Sequence, residues 1–255
     1  QPGPLITSIL SIDPLLIDKI EVIKGPGTLL YGNNGFAGVV NIINPLIAVD
    51  KPLADENYEL GFGYKTSGGE LGTALKLSKS VDNFTIRGSG SLLSSGPYDL
   101  ANVSTKQPNS GKFVSSGGVG ITYNDGKNFL GVSLDKLEAV YQNPGSEGEE
   151  NMTSLNPTRN TINFNSSLAL DYLIFEKFNL EGTVSEYNHA ERTTDGNKHN
   201  ITFFNDTYEL KTSLNHKSLF SQNEEGLIGF HFQNKNQGAT GDEAVSYTHL
   251  TLPTT

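Results

Sequence analysis

The sequence predicts a mainly β protein, in which antiparallel strands of a transmembrane β-barrel follow a glycine-rich N-terminal part. Three observations predict this fold class. Apolar and polar residues alternate from Tyr58 onward, short and long connections follow each other in turn, and one face of each alternating run lacks charge. The chain divides near Pro52, because the residues before it form apolar clusters separated by proline and glycine.

Composition limits the function classes. The chain has 255 residues, of which 28 are glycine and none is cysteine, so disulfide frameworks, thiolate zinc sites and cysteine nucleophiles are excluded. Its formal net charge of -10 offers little to neutralise the phosphates of a nucleic acid, and we expect no nucleic-acid partner. No window reaches the roughly 18 apolar residues of a membrane-spanning helix.

Nine alternating runs predict nine strands. Residues 58–65, YELGFGYK, are the clearest example, since tyrosine, leucine and phenylalanine lie on one face and glutamate, glycine and lysine on the other. The other runs begin near Leu71, Phe84, Phe113, Phe129, Asn160, Phe178, Asp206 and Gly226. Each run alone is also typical of a half-buried strand in a soluble protein, so the argument depends on the connections.

The connections alternate in length. The even-numbered ones are short, at 81–83, 124–128, 173–177 and 217–225. The odd-numbered ones, after a first tight turn at 66–70, are long and polar, at 94–112, 141–159 and 190–205. A soluble sandwich has no physical reason to separate long loops from tight turns in this way. An outer-membrane barrel has one, because its odd and even connections lie on opposite sides of the bilayer.

The two faces of the runs differ in polarity. The apolar faces contain no Asp, Glu, Lys or Arg, and a charge facing lipid at mid-bilayer would cost about 2–4 kcal/mol. The opposite faces carry Glu59, Lys65, Lys76, Arg87, Asn163, Asn165, Asp171, Glu209 and His231. Aromatic residues stand near strand ends, where an interfacial girdle would place them: Tyr64, Tyr123, Tyr172 and Phe178. We therefore expect lipid on the apolar face and a wet lumen on the other.

A long motif in the N-terminal part carries a family resemblance. Residues 17–45, IDKIEVIKGPGTLLYGNNGFAGVVNIINP, resemble the end of the plug domain of TonB-dependent outer-membrane receptors, where a run of the type IERIEVLRGP...LYGSGAIGGVVNIITK directly precedes the barrel. The matching residues are Ile20, Glu21, Val22, Lys24, Gly25, Pro26, Leu30, Tyr31, Gly32, Gly35, Gly38, Val39, Asn41, Ile42 and Ile43. The glycines allow positive φ and close packing between two short strands in a crowded lumen.

The resemblance implies an active importer and no enzymatic activity. In this family a folded plug closes the barrel, a ligand binds on the external side, and the inner-membrane TonB complex pulls on the plug. It implies the outer membrane of a Gram-negative bacterium, with lipid, TonB and the transported ligand as partners. The family barrel has about 22 strands, so we expect a fragment whose TonB-contacting segment and remaining strands lie beyond this chain.

The predicted organisation has three parts. Residues 1–50 are expected to be the C-terminal part of the plug, and residues 51–244 the first nine or so strands of the barrel. Residues 245–255, VSYTHLTLPTT, look like the in-frame translation of a sequencing adapter, and we exclude them from the native sequence.

The ligand is predicted only as a class: a metal, haem or a metal chelate. Residues 160–244, ending in GDEA, loosely resemble the receptor subgroup associated with zinc or haem. Such receptors carry a His-rich acidic loop ahead of this region, whereas the loop at 141–159 has three glutamates and no histidine. This departure puts zinc in doubt, and no bound cofactor is identifiable.

Five histidines offer few candidate ligands. His189, Glu191 and His199 lie in or beside one predicted external loop, and imidazole and carboxylate can meet a metal or haem there. Solvated loop residues are the alternative interpretation. His216 is predicted at the periplasmic end and His231 on the lumen face, neither with a visible partner.

Other function classes explain less of the sequence. Gly25 and Gly27 form a G-x-G, but Leu30 occupies the place of the third glycine of a dinucleotide loop. A passive porin or adhesin barrel explains the strands but not the N-terminal motif, and it stays the main alternative. An outer-membrane hydrolase lacks a recognisable nucleophile motif, and a soluble all-β binding module would fold without detergent.

Overall fold

The computed structural model describes residues 15–25, 39–43, 46–47, 56–100, 104–144, 153–193, 200–217 and 225–241. The strands are β1 Lys19–Ile23, β2 Val39–Ile43, β3 Glu56–Lys65, β4 Glu70–Val81, β5 Phe84–Ser95, β6 Lys112–Asn124, β7 Phe129–Asn143, β8 Thr153–Tyr172, β9 Phe175–Thr193, β10 Asn200–Lys217 and β11 Glu225–Gly241. One short 3-10 turn, Ser67–Gly69, joins β3 to β4. The described ranges hold no helix with the length and hydropathy needed to traverse a membrane.

The strands form two sheets. The first is the antiparallel hairpin β1–β2, and the second contains nine strands in the order β3 to β11, each antiparallel to the next. The nine alternating runs of the sequence are therefore nine consecutive strands of one meander. Among the described strands β3 and β11 each have a single neighbour, which is the arrangement of an incomplete barrel. The predicted fold class is confirmed.

On the central strands of the nine-stranded sheet the apolar face is more exposed than the opposite face. Leu60 and Phe62 on β3 are 80% and 73% exposed, whereas Thr122 and Ser133 are 1% and 3% exposed. A soluble sheet would bury leucine and expose serine, so this distribution is that of a barrel wall with an apolar exterior and a polar lumen. We call the two sides the exterior face and the inner wall.

Several strands are longer than the alternation predicted. β8 begins at Thr153 rather than Asn160, β9 continues to Thr193, and β10 begins at Asn200 rather than Asp206. The predicted long connections at 141–159 and 190–205 are correspondingly shorter. Alternation reports only the part of a strand whose exterior face is apolar, while backbone pairing continues where both faces are polar.

The exterior face carries charge near the ends of the strands, and one row of polar and charged residues crosses several strands. Lys136, Asn160, Glu186, Asp206 and Asn236 stand in register across β7 to β11, on the same side as the exposed apolar residues. The prediction that this face lacks charge therefore holds for the apolar runs and is wrong for their external extensions. We interpret the row as the level at which the apolar band ends.

The connection between β6 and β7 confirms the predicted short turn at 124–128. Asp125 Oδ1 accepts hydrogen bonds from the backbone N–H groups of Lys127 (2.9 Å) and Asn128 (2.7 Å). Gly126 has φ +91°, a conformation that favours glycine. Because these donors stabilise the charged form, they lower the pKa of Asp125 from 3.8 to about 2.

Asp125→Asn should weaken this turn in a pH-dependent manner. Because the folded-state pKa is depressed, the carboxylate stabilises the fold above pH 3.8, and this contribution is lost as the pH falls through about 2. We therefore expect the variant of the full-length receptor to unfold more easily than wild type at neutral pH and equally easily below pH 2. Denaturant titration at several pH values in detergent measures the difference. A difference that is independent of pH would contradict the assignment to the charge.

Candidate functional site

The N-terminal motif contributes the hairpin β1–β2. Lys19 pairs with Ile43 and Ile23 with Val39, so the two halves of the motif lie side by side. Gly25 follows β1 with φ +81°, as expected for a glycine at a chain reversal. Several motif residues lie outside the described ranges, as does the predicted division at Pro52: Pro26, Leu30, Tyr31, Gly32, Gly35 and Gly38.

Residues that flank this hairpin pack against glycines of the inner wall, which have no side chain. A Cβ atom on Gly72 would lie 3.1 Å from Leu15 Cδ1, and one on Gly118 would lie 2.6 Å from Leu46 Cδ1. A Cβ on Gly120 would overlap the carbonyl oxygen of Leu46. Leu46 is buried, which stabilises the contact by about 1.5–3 kcal/mol. The wall glycines therefore form a seat for the N-terminal part.

A charged contact reinforces the seat. Lys76 on β4 forms an ion pair with Asp18, which immediately precedes β1. The sequence placed Lys76 correctly on the polar face but did not reveal its partner, 58 residues away. Both side chains remain partly exposed, so the pair adds a modest electrostatic contribution to the apolar contacts of the seat.

The rest of the inner wall is a polar surface with its own partners. Asp135 on β7 accepts a hydrogen bond from Arg159 on β8 at 3.1 Å. Farther along, Asn179 donates to both Ser213 and Asn215 on β10 at 3.1 Å. Ser167 on β8 donates a hydrogen bond to Asn179 Oδ1 at 2.7 Å, so side chains of β8, β9 and β10 are linked, which suits a wall that faces water or a polar ligand. The side chain of Asp171, predicted on this face, lies outside the description.

A buried histidine lies on the inner wall toward the external end of β9. His189 is 1% exposed, and its Nε2 lies 3.1 Å from Glu191 Oε1. Its Nδ1 lies 3.4 Å from the Tyr187 hydroxyl, and the Phe203 ring is tilted against it with centroids 6.2 Å apart. Pro157 is its register partner on β8. An imidazole and a carboxylate are thus held together between hydrophobic neighbours.

The prediction that Glu191 lies in an external loop is wrong, and His189, predicted beside that loop, lies within a strand. His189 and Glu191 are in β9, because pairing with β8 and β10 continues past the apolar run. The alternative of solvated loop residues fails for His189, which is buried. His199 lies outside the described residues. Within the described ranges no group of three or more His, Asp or Glu side chains is placed to hold a metal ion.

The other two described histidines also have partners that the sequence did not show. His231 Nε2 lies 2.7 Å from Glu209 Oε1 on β10, and Lys211 contacts the same carboxylate at 2.9 Å. His216 Nδ1 lies 3.1 Å from the carbonyl oxygen of Lys217. The partner of His231 was not visible in the sequence because register across β10 and β11 joins residues 22 positions apart, whereas His216 contacts the backbone of the next residue.

Comparison with known proteins agrees with the plug-like N-terminal motif and with the nine-stranded sheet. Residues 4–39 match the family model described as TonB-dependent Receptor Plug Domain. The solved structure of the copper transporter OprC superposes with a TM-score of 0.73 at 16% sequence identity, over 91% of this chain. The resemblance to TonB-dependent receptors is confirmed. The chain spans 35% of the length of OprC, and the likeness shows a shared fold.

The match to the plug-domain model of TonB-dependent receptors shows which of the residues packed on the seat belong to the plug part. Leu15 and Asp18 belong to the matched range, which ends at Val39, the first residue of β2. Leu46 and Ile47 lie between this range and β3. The plug part and the segment that joins it to the barrel therefore both contact the inner wall.

Proposed function

We propose that the protein is an active importer in the outer membrane of a Gram-negative bacterium, driven by the TonB complex. The observation that carries this proposal is the packing of plug residues on the inner wall, through the Asp18–Lys76 ion pair and the contact of Leu46 with Gly120. A plug held in the lumen blocks passive flow, so transport requires an energy source that displaces it. No catalytic step is part of the proposal.

The proposed ligand is a scarce metal, haem or a metal chelate. His189 and Glu191 support this class, because imidazole and carboxylate are suitable ligands and lie together toward the external end of the inner wall. The hydrophobic surroundings of His189 keep its ring in a fixed orientation.

His189→Gln should reduce metal binding by at least about tenfold in the full-length receptor, because it removes an imidazole that the neighbouring carboxylate orients. Zinc and copper titrations of the purified receptor measure the effect. His216→Gln is the matched control, since His216 lies at the opposite end of β10. Equal affinities of wild type, His189→Gln and His216→Gln for the metal would show that His189 contributes to packing and not to metal binding.

Dependence on TonB separates this function from a passive porin or adhesin. A strain lacking the gene should grow poorly under limitation of one of zinc, copper, haem or a ferric siderophore, and the full-length gene should restore growth only when TonB is present. Uptake that persists without TonB would favour the passive barrel. If the receptor takes up none of these ligands, the proposed ligand class is wrong.

A further inference from the structure

A second pair of an imidazole and a carboxylate lies on the inner wall, farther from its external end. His231 Nε2 on β11 lies 2.7 Å from Glu209 Oε1 on β10, and Lys211 Nζ lies 2.9 Å from the same oxygen atom. The three side chains are 33%, 21% and 34% exposed, in that order, so water in the lumen reaches them. Phe203 is the register partner of His189, and Glu209 follows Phe203 by six residues. The second pair is therefore about 20 Å along the wall from His189.

Lys211 has a second carboxylate within reach. It is the register partner of Glu181 on β9 and of His231 on β11, and all three residues lie on the inner wall. Directly opposed residues on neighbouring strands have Cβ atoms about 4.5–5.5 Å apart, so a change of rotamer brings the Lys211 ammonium to the Glu181 carboxylate, which is exposed. The ammonium can therefore leave Glu209 without losing an ion pair.

We propose that Glu209 and His231 form a second, weak site for a hydrated divalent metal ion on the import path, with Lys211 as a displaceable competitor. The ion takes one imidazole nitrogen and one carboxylate oxygen and keeps water as its other ligands. The Lys211 ammonium stays protonated and moves to Glu181. Competition by the ammonium keeps the site weak, and a site on a transport path must release what it binds. The role in transport rests on the proposed import function, for which the site names a free divalent ion as cargo.

Calorimetric titration of the purified full-length receptor with Zn²⁺ tests the site. The His189→Gln variant is the background, so that the pair at the external end does not contribute. In this background His231→Gln should lower the affinity for Zn²⁺ at least about tenfold, because one of the two described protein ligands is lost. Lys211→Gln should raise the affinity about two- to fivefold, because no ammonium competes for Glu209. A folding defect cannot produce tighter binding.

Lys235→Gln in the same background is the matched control. It removes the same charge from the inner wall, but Lys235 is four residues from His231 on β11, about 13 Å away, and charges are screened beyond about 8 Å at physiological salt. Its affinity for Zn²⁺ should equal that of the background. Unchanged or weaker binding by Lys211→Gln would overturn the proposal, as would unchanged binding by His231→Gln. The expected affinities without TonB-dependent uptake would support the site and contradict the import function, whereas TonB-dependent uptake with unchanged affinities would overturn the site alone.

Discussion

Gly120→Val will unseat the plug from the barrel wall. The added side chain would overlap the carbonyl oxygen of Leu46, which is backbone and cannot rotate away. Either the wall strand or the segment containing Leu46 must move, and overpacking of this kind costs about 1–3 kcal/mol. Displacement would also return the buried Leu46 side chain to the lumen. We therefore expect a receptor that still forms its barrel but leaks.

Leakage is measured as entry of a large hydrophilic dye into cells that lack TonB, where wild-type receptor should stay closed. Gly63→Val is the matched control, because Gly63 is also on the inner wall and a Cβ there meets no atom within 4 Å. Asp18→Asn removes the ion pair without adding volume and should give a smaller leak. Closed barrels in both Gly120→Val and Asp18→Asn would show that these contacts do not seat the plug.

Phe164→Arg should destabilise the inserted receptor by about 2–4 kcal/mol, which is roughly a 30-fold to 1,000-fold change in the folding equilibrium. Phe164 lies on the exterior face of β8, in register with Val132 on β7 and Gly182 on β9. This level is two exterior positions from Asn160 in the polar row, so the guanidinium would be placed in hydrocarbon. Urea titration of the receptor in vesicles measures the loss.

The adjacent residue provides the control for this prediction. Asn165 points to the inner wall, where its register partner on β9 is Glu181. Asn165→Arg should therefore cost little, because the new cation faces a polar lumen and a carboxylate. Phe164→Leu shows how much of the loss comes from removing the ring. If both arginine variants lose the same stability, the exterior face does not contact lipid.

The inner-wall site was only partly predictable. Lys76, Glu209 and His231 were correctly placed on the polar face, because alternation along a strand is a local property. Their partners were not predictable, since Asp18 is 58 residues from Lys76 and Glu209 is 22 residues from His231. Burial of His189 also required two neighbouring strands, which extend beyond the part of the sequence that alternates.

Local patterns in the sequence predicted the nine strands, the apolar face of each, and the resemblance of the N-terminal motif to a plug. These follow from side chains that alternate with a period of two and from glycine spacing within one segment. The ends of the strands and the contact of Leu46 with Gly120 became visible only in the folded chain. The physical reason is register: hydrogen bonding between strands fixes which distant residues become neighbours, and no short stretch of sequence contains that information.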